Sequence, residues 1–320
     1  MFLSIIIPIY NVEKYIERCA RSLMEQTMKD GIEFLFINDC TPDNSMTILR
    51  RVIANYPERG HQIRIIENNK NLGVSATRRL GVNEANGDYI GWCDSDDWVE
   101  SEAFERMYDA TRQGMIDIVV APFIKEKSNG GVEIVRFNQC HTPQECIQKS
   151  WKGFFFPGAL WQQICRKKFL QRAFNLIIDT NYSEDIFTLW LTYHFSQSIN
   201  YILTPYYHYN SINSLSLVHN ISYSWDSWVR QKRNIDIIQK ELYRGCKDKQ
   251  YRVACNALKY GMKVQYRFAF PNIFKYYYTY RECYFDVNSF FFTPPKTRLK
   301  TFLVYNFFIL FWFYNRKTWR

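Results

Sequence analysis

Nine cysteines include no C-x-x-C pair, so the spacing of a zinc cluster or dithiol redox site is missing, and an odd set scattered from Cys19 to Cys283 is no disulfide framework. A reducing, cytosolic setting fits this usage best. Nowhere do 18 apolar residues run uninterrupted, so no segment reads as a full membrane span. The opening apolar stretch has no basic residue ahead of it and is broken by Pro8, unlike a secretory signal. Glycine is sparse, at 13 residues, and the turn after the first apolar run, Tyr10-Asn-Val-Glu-Lys14, lacks the G-x-G-x-x-G of a dinucleotide fold. There is no Walker loop, H-E-x-x-H, nucleophilic triad, internal repeat or low-complexity linker.

What is present is enough apolar material for a large core: 320 residues, 47% hydrophobic and 18% aromatic. The net charge of +10 is unevenly spread. Residues 1–150 carry 17 basic and 22 acidic side chains, residues 151–320 carry 24 and 9. An acidic half suits a metal-holding site; a basic half suits an anionic partner such as a diphosphate, a phospholipid surface or nucleic acid. The basic residues are scattered and accompanied by no recognition motif, which argues against nucleic acid.

Leu3 to Ile9 is a continuous apolar run of buried-strand length, and Val12 to Met24 then follows helical spacing. The pattern recurs: strand at 32–37 and helix at 46–56, strand at 63–67 and helix at 75–86, strand at 89–93. Such alternation predicts an α/β fold, a doubly wound and mostly parallel sheet with ligands beyond the carboxyl ends of its strands. A fifth strand is expected at 116–121, a hairpin turn at Ser128-Asn-Gly-Gly131 and a helix start at Thr142-Pro-Gln-Glu145. Beyond that the alternation is lost. A helix opens at Ser183-Glu184-Asp185, two more are expected over 221–267, and the last third is basic and rich in aromatics.

The fourth strand ends in Asp94-Ser95-Asp96-Asp97. Three acids at a strand end repel one another unless a divalent cation or basic groups neutralise them. Oxygen donors favour Mg²⁺ or Mn²⁺, which would in turn hold a diphosphate. The alternative reading is a solvated acidic turn capping the next helix.

Four segments then stand in order: Ser4-Ile-Ile-Ile-Pro-Ile-Tyr-Asn11, Phe36-Ile-Asn-Asp-Cys-Thr-Pro-Asp-Asn-Ser45, Asn69-Lys-Asn-Leu-Gly-Val-Ser-Ala-Thr-Arg78, and Gly87-Asp-Tyr-Ile90 through Asp97. Together they resemble the family 2 glycosyltransferases, nucleotide-diphospho-sugar transferases of the GT-A fold, of the type that builds bacterial cell-surface polysaccharide. The resemblance implies a GT-A domain over 1–215, with a nucleotide-sugar half to about 100 and an acceptor half from about 101. A helical, aromatic-rich extension over 216–320 follows. It also implies that Tyr10 lies against the base, Asp39 hydrogen-bonds it, and Arg78 approaches the nucleotide or its diphosphate. Asp94 would face ribose and metal, with Asp96 the direct ligand of Mn²⁺ or Mg²⁺. The sequence departs from the family at Asn38, Cys40 and Arg79, where Asp, Gly and Asn are common.

Tyr182-Ser-Glu-Asp185 resembles the family's Glu-Asp pair, which makes Asp185 the catalytic base. The reaction needs one, because an acceptor hydroxyl attacks an anomeric carbon competently when a carboxylate takes its proton. Glu184 is an acceptor-side acid or a helix-capping one. Trp161, in Gly158-Ala-Leu-Trp161, stacks on an acceptor sugar or packs in the core. His208, in Tyr206-Tyr-His-Tyr-Asn-Ser-Ile-Asn-Ser214, is a metal or phosphate contact or a structural residue.

The expected reaction is metal-dependent, inverting transfer from a nucleotide sugar, a UDP-sugar, to a glycan hydroxyl. From Phe302 to Tyr314 the polar side chains are Asn306 and tyrosine hydroxyls, flanked by Lys296, Arg298, Lys300 and by Arg316, Lys317, Arg320. Thirteen helical residues reach about 20 Å, short of the roughly 30 Å hydrocarbon core, so 296–320 is expected to lie in the membrane interface, the alternative being a terminal helix docked into the protein's own core or a dimer partner. That would make the protein peripheral on the cytoplasmic face of the cell membrane, suiting a lipid-linked acceptor. Two rivals stand beside this reading. One is a catalytically inactive, membrane-associated assembly subunit. The other is a sugar-1-phosphate nucleotidyltransferase, which would need a Gly-rich, Arg- and Lys-bearing loop after the first strand.

Overall fold

The computed structural model describes residues 2–150, 158–180, 184–213, 224–245, 254–256, 258 and 259. The chain divides into two compact units, residues 1–144 with 156–220, and residues 145–155 with 221–320.

In the first unit the apolar run Leu3–Ile9 becomes β1, buried along nearly its whole length because helices cover both of its faces. Its odd-numbered residues, Leu3, Ile5, Ile7 and Ile9, pack with Ile16, Ala20 and Leu23 of α1 (Ile16–Met24) and Leu49 and Val52 of α2 (Ser45–Ile53). On the other face Ile6, with Ile37 of β2 (Ile32–Asn38), meets α3 (Val74–Glu84) at Gly81. A Cβ on Gly81 would stand 2.5 Å from Ile6 Cγ2 and 2.8 Å from Ile37 Cδ1, so the absent side chain is what lets α3 lie this close. Pro8 is tolerated in a central strand for a local reason. Its side of β1 faces β4 (Tyr89–Trp92), whose pairing with β1 ends at Ile6 opposite Trp92. The Pro8 carbonyl accepts instead from Ser95 Oγ at 2.7 Å.

β3 (Ile63–Glu67), β6 (Ile118–Val120), β9 (Gln163–Arg166) and β10 (Ile199–Tyr201) complete a seven-stranded sheet ordered β10-β6-β9-β4-β1-β2-β3. All neighbours are parallel except β9, which runs antiparallel to both β4 and β6. The doubly wound, mostly parallel α/β sheet expected from the alternation is present. The fifth strand is shorter than the apolar run suggests, and β9, four residues long with a buried Gln163, gives no periodic signal. α6 (Lys167–Leu176) and α7 (Glu184–Phe195) pack on each other, and α6 on α3. A second sheet, ordered β5-β11-β7-β8, is formed by β5 (Trp98–Val99), β11 (Tyr207–Asn210), β7 (Phe123–Glu126) and β8 (Val132–Val135). The last two make the antiparallel hairpin expected around Gly130. α4 (Ala103–Asp109) follows β5, and α5 (Pro143–Lys149) starts one residue after Thr142.

In the second unit α8 (Trp225–Gly245) buries Trp228, Gln231, Asn234, Ile235, Ile238, Glu241 and Leu242, one face at helical spacing that mixes polar with apolar side chains. Among the described residues no helix is long and apolar enough to cross a membrane. The segment 296–320 lies outside the described residues.

Gly81→Val puts a β-branched side chain where Ile6 and Ile37 already fill the space. It is expected to lower the unfolding free energy by about 1–3 kcal/mol, read as a lower urea midpoint at unchanged slope.

Candidate active site

The first two strand-to-helix turns are sewn together. Asn11 has φ 57°, and the N–H groups of Asn11, Val12 and Glu13 donate to Thr41 Oγ1 (2.8 Å), Ser45 Oγ (3.1 Å) and an Asp43 carboxylate oxygen (2.9 Å). These N–H groups could have formed an anion cradle but are occupied by side chains. Tyr10, beside them, is 47% exposed, as a platform for a flat ligand must be. Asp39 is buried: Oδ1 accepts from Asn68 Nδ2 and Leu72 N–H, both at 2.8 Å, and Oδ2 from Gly73 N–H at 2.9 Å. It therefore shapes the loop that leads into α3. Cys40 sits at φ 57°, in the left-handed region that glycine adopts without steric cost and a cysteine does not, so this departure from the family's glycine is strained.

The acidic turn after β4 is gripped by β11 and the residues after it, more than a hundred positions away. Tyr207 Oη accepts from Asp94 N–H (3.0 Å) and donates to Asp97 Oδ2 (2.6 Å). Asn210 donates from its N–H to Asp97 Oδ1 (2.7 Å) and from Nδ2 to the Asp96 carbonyl (3.2 Å), and Asn213 Nδ2 donates to Asp96 Oδ2 (2.7 Å). Asp97 is thus buried and used up structurally. Asp94 and Asp96 remain as the pair with carboxylate oxygens toward the site. Burial, then the Asp94 charge, push Asp96 up to about 6.

His208, adjacent to Tyr207, takes the opposite face of β11. Its Nδ1 and Nε2 lie 2.8 Å from Glu126 Oε1 and Glu100 Oε1, and its ring stacks on Trp98. The metal or phosphate contact is corrected to the structural alternative: both ring nitrogens face glutamates, not Asp94 or Asp96. Trp161 stacks on Tyr207 (4.4 Å between centroids) and Tyr209 (5.5 Å) and meets Phe123 edge-on (4.8 Å), a cluster that supports β11 from one side.

Arg78, 4% exposed on α3, joins the two halves of the site. Its NH2 donates to Asp94 Oδ1 (2.7 Å), and its NH1 to Glu184 Oε1 (2.8 Å) and Asp185 Oδ1 (2.5 Å). These NH1 and NH2 contacts are with carboxylates, where the sequence led us to expect a nucleotide or diphosphate. Burial works against the charge, but Asp185, Asp94 and Glu184 outweigh it and hold Arg78 above its ordinary value. Burial, then the Asp185 charge, push Glu184 up to about 8. Burial also raises Asp185, with Arg78 opposing. Asp185 Oδ2 accepts from Leu160 N–H at 3.3 Å, which leaves that oxygen room for a further donor. Arg79 turns away from this centre toward α6 and Asp179.

A strand-end acid pair joined through a buried arginine to a second acid pair on a helix is a two-centre site. Residues 4–177 match the sequence profile described as Glycosyl transferase family 2. The chain belongs to glycosyl transferase family 2. Among its relatives is the "Uncharacterized glycosyltransferase EpsJ" of Bacillus subtilis (strain 168), 36% identical over 189 residues, which are 57% of this chain and 53% of that protein. The match thus spans about half the relative's length. The fold resembles that of S. aureus TarS 1-349 in complex with UDP-GlcNAc (TM-score 0.71, 16% identity, 98% of this chain and 89% of that one). It also resembles the mannosyltransferase PcManGT from Pyrobaculum calidifontis in complex with GDP-Man and Mn²⁺ (TM-score 0.52, 12% identity, 96% and 82%).

In this family 2 member the structure brings together Arg78, Asp94, Glu184 and Asp185, all singled out from sequence, with Asp96 next to Asp94. Sequence reasoning missed Tyr207, Asn210 and Asn213. They lie in the segment 206–214, from which the sequence offered His208, and the alternation of side chains along a strand puts Tyr207 and His208 on opposite faces.

Arg78→Met would leave three carboxylates converging on no cation. It is expected to destabilise the fold by about 3–5 kcal/mol at neutral pH. Arg78→Lys, a single ammonium in place of a fork, should recover part of that loss in denaturant unfolding.

Proposed function

We propose that the chain transfers a sugar from a nucleoside-diphosphate sugar, UDP-linked, to a hydroxyl of a glycan acceptor, with inversion, in the synthesis of a cell-surface polysaccharide. The observation that carries this reading is the convergence of Asp185 and Asp94 on the one buried Arg78 guanidinium. A base and a donor-side acid are thereby held in fixed relation. The TarS complex with UDP-GlcNAc supports a UDP-sugar donor.

Asp185 acts as general base. As the acceptor oxygen bonds to the anomeric carbon, its proton passes to an Asp185 carboxylate oxygen, and the bond from that carbon to the diphosphate oxygen breaks, with the electron pair leaving on the diphosphate. One displacement inverts the centre. Burial raises the proton affinity of Asp185, which suits a base. Arg78 and Leu160 N–H orient the carboxylate. Tyr10 supports the base, and Asp39 shapes the adjoining loop while reaching the base edge. Glu184 shares the Arg78 NH1 with Asp185, and Trp161 acts through its hold on β11.

The donor set fits a hard dication. Asp94 and Asp96 offer only oxygen ligands, and an acid pushed up to about 6 by burial and a neighbouring charge is one that a cation restores to carboxylate. Among the described residues no group of three His, Cys, Asp or Glu could hold a metal ion, so Asp94 and Asp96 would hold Mn²⁺ or Mg²⁺ together with the donor's own oxygens. Bound there, the ion would neutralise charge growing on the leaving diphosphate. The mannosyltransferase complex with Mn²⁺ supports this. The nucleotidyltransferase alternative lacks its Gly-rich loop, and the N–H groups of the first turn are already taken by Thr41, Ser45 and Asp43. The basic-flanked segment 296–320 supports attachment to the inner membrane face and a lipid-linked acceptor.

A panel of nucleotide sugars, assayed for nucleoside-diphosphate release with and without Mn²⁺, tests the proposal. Turnover of a UDP-sugar is expected, and no turnover of any donor in the presence of acceptor glycans would favour the inactive subunit. Asp185→Asn should lower turnover about 10²- to 10⁴-fold with UDP affinity roughly intact. Asp96→Asn should instead remove the Mn²⁺ dependence of UDP binding in calorimetry.

A further inference from the structure

Arg78 and Arg79 are successive residues of α3, about 100° apart around the helix, and they hold the two ends of the same connection. Arg78 grips Glu184 and Asp185 at the start of α7. Arg79 grips the other end, where α6 stops. Its NH1 donates to the Phe174 carbonyl and its NH2 to the Ile177 carbonyl (3.0 Å), satisfying acceptors that the end of α6 leaves without helical partners. Arg79 Nε (3.2 Å) and NH2 (2.7 Å) then donate to Asp179 Oδ1, which also accepts from Ser75 Oγ at 3.0 Å. Ser75 stands in the first turn of α3, where the helix dipole favours a carboxylate. One guanidinium therefore fixes two carbonyls and a carboxylate just five positions before Glu184.

We propose that Arg79, acting with Ser75 through Asp179, is a positioning residue for Asp185: it sets the path by which the chain leaves α6 and so where the carboxylate stands when it reaches Arg78. This rests on the reading of Asp185 as base. Asp185 is held at its side chain by Arg78 NH1 and Leu160 N–H, and its helix packs on α6. The Asp179 anchor adds a tether to the chain that leaves α6, ahead of α7. Arg79 touches no reacting atom in this scheme, and its loss displaces the base without altering the donor side.

The test compares Arg79→Ala and Asp179→Ala, alone and combined, with Asp185→Asn. Steady-state release of nucleoside diphosphate is measured with the best donor of the panel, UDP affinity by calorimetry with Mn²⁺, and backbone hydrogen exchange by mass spectrometry without ligand. Arg79→Ala is expected to lower kcat about 10- to 100-fold, the cost of a base displaced by about 1 Å, with KM and UDP affinity within about twofold. Exchange over 174–190 should quicken at least about tenfold while β1 to β4 are unchanged. The double variant should be no worse than the worse single one, because both remove the same link. Unchanged exchange over 174–190, a fall carried by KM, or additive losses would overturn the proposal. Should Arg79→Ala fail to fold, Asp179→Ala, at a 42% exposed side chain, decides on the same readouts. Full activity in Arg79→Ala beside an inactive Asp185→Asn refutes the clamp alone; an active Asp185→Asn refutes the base assignment instead.

Discussion

One buried arginine, Arg78, organises the site. The Arg78 guanidinium is shut away from water with three carboxyl groups around it, and their crowding is part of what raises Glu184. A charge so desolvated is tolerated because its partners are hydrogen-bonded and near, and the same partners would be intolerable without it. Everything that sets the position of Arg78 therefore also sets the site: the close approach of α3 to β1 at Gly81, the Asp39-anchored loop before α3, and the strand end that presents Asp94.

The remaining acids are arranged by distant parts of the chain. β11 delivers Tyr207 and Asn210 to the Asp94–Asp97 turn, and is itself braced by His208 between two glutamates and by Trp161 against Tyr207 and Tyr209. In the turn, Asp97 accepts from Tyr207 and Asn210 of β11 through both of its oxygens, whereas the Asp96 carboxylate accepts from Asn213 through one.

Much of the donor half was legible in the sequence, for a physical reason: β1 to β4 and α1 to α3 alternate in chain order, and each buries a face that its own periodicity announces. The strand Ile63–Glu67 was read to the residue. β9 was illegible because four residues with a buried glutamine carry no period, and its position between β4 and β6 is decided by partners on both sides. Arg79 was legible as a departure from the family but not in its direction, since the helix turns it 100° from Arg78 toward an α6 terminus that no local pattern foretells. The acids Asp94, Glu184 and Asp185 could be picked out by type and position. That they would share one arginine is a tertiary fact.

That sharing also has an order in time. Arg78 meets Asp94 across 16 positions of sequence but Glu184 and Asp185 across 106 and 107. On a ribosome making about 5–20 residues per second, roughly 5 to 18 seconds separate the synthesis of Asp94 from that of Glu184. The base is thus made well after the donor-side acid, and β11 and Asn213, which grip the acidic turn, are made later still, so the site is complete only once the chain has been made past Asn213.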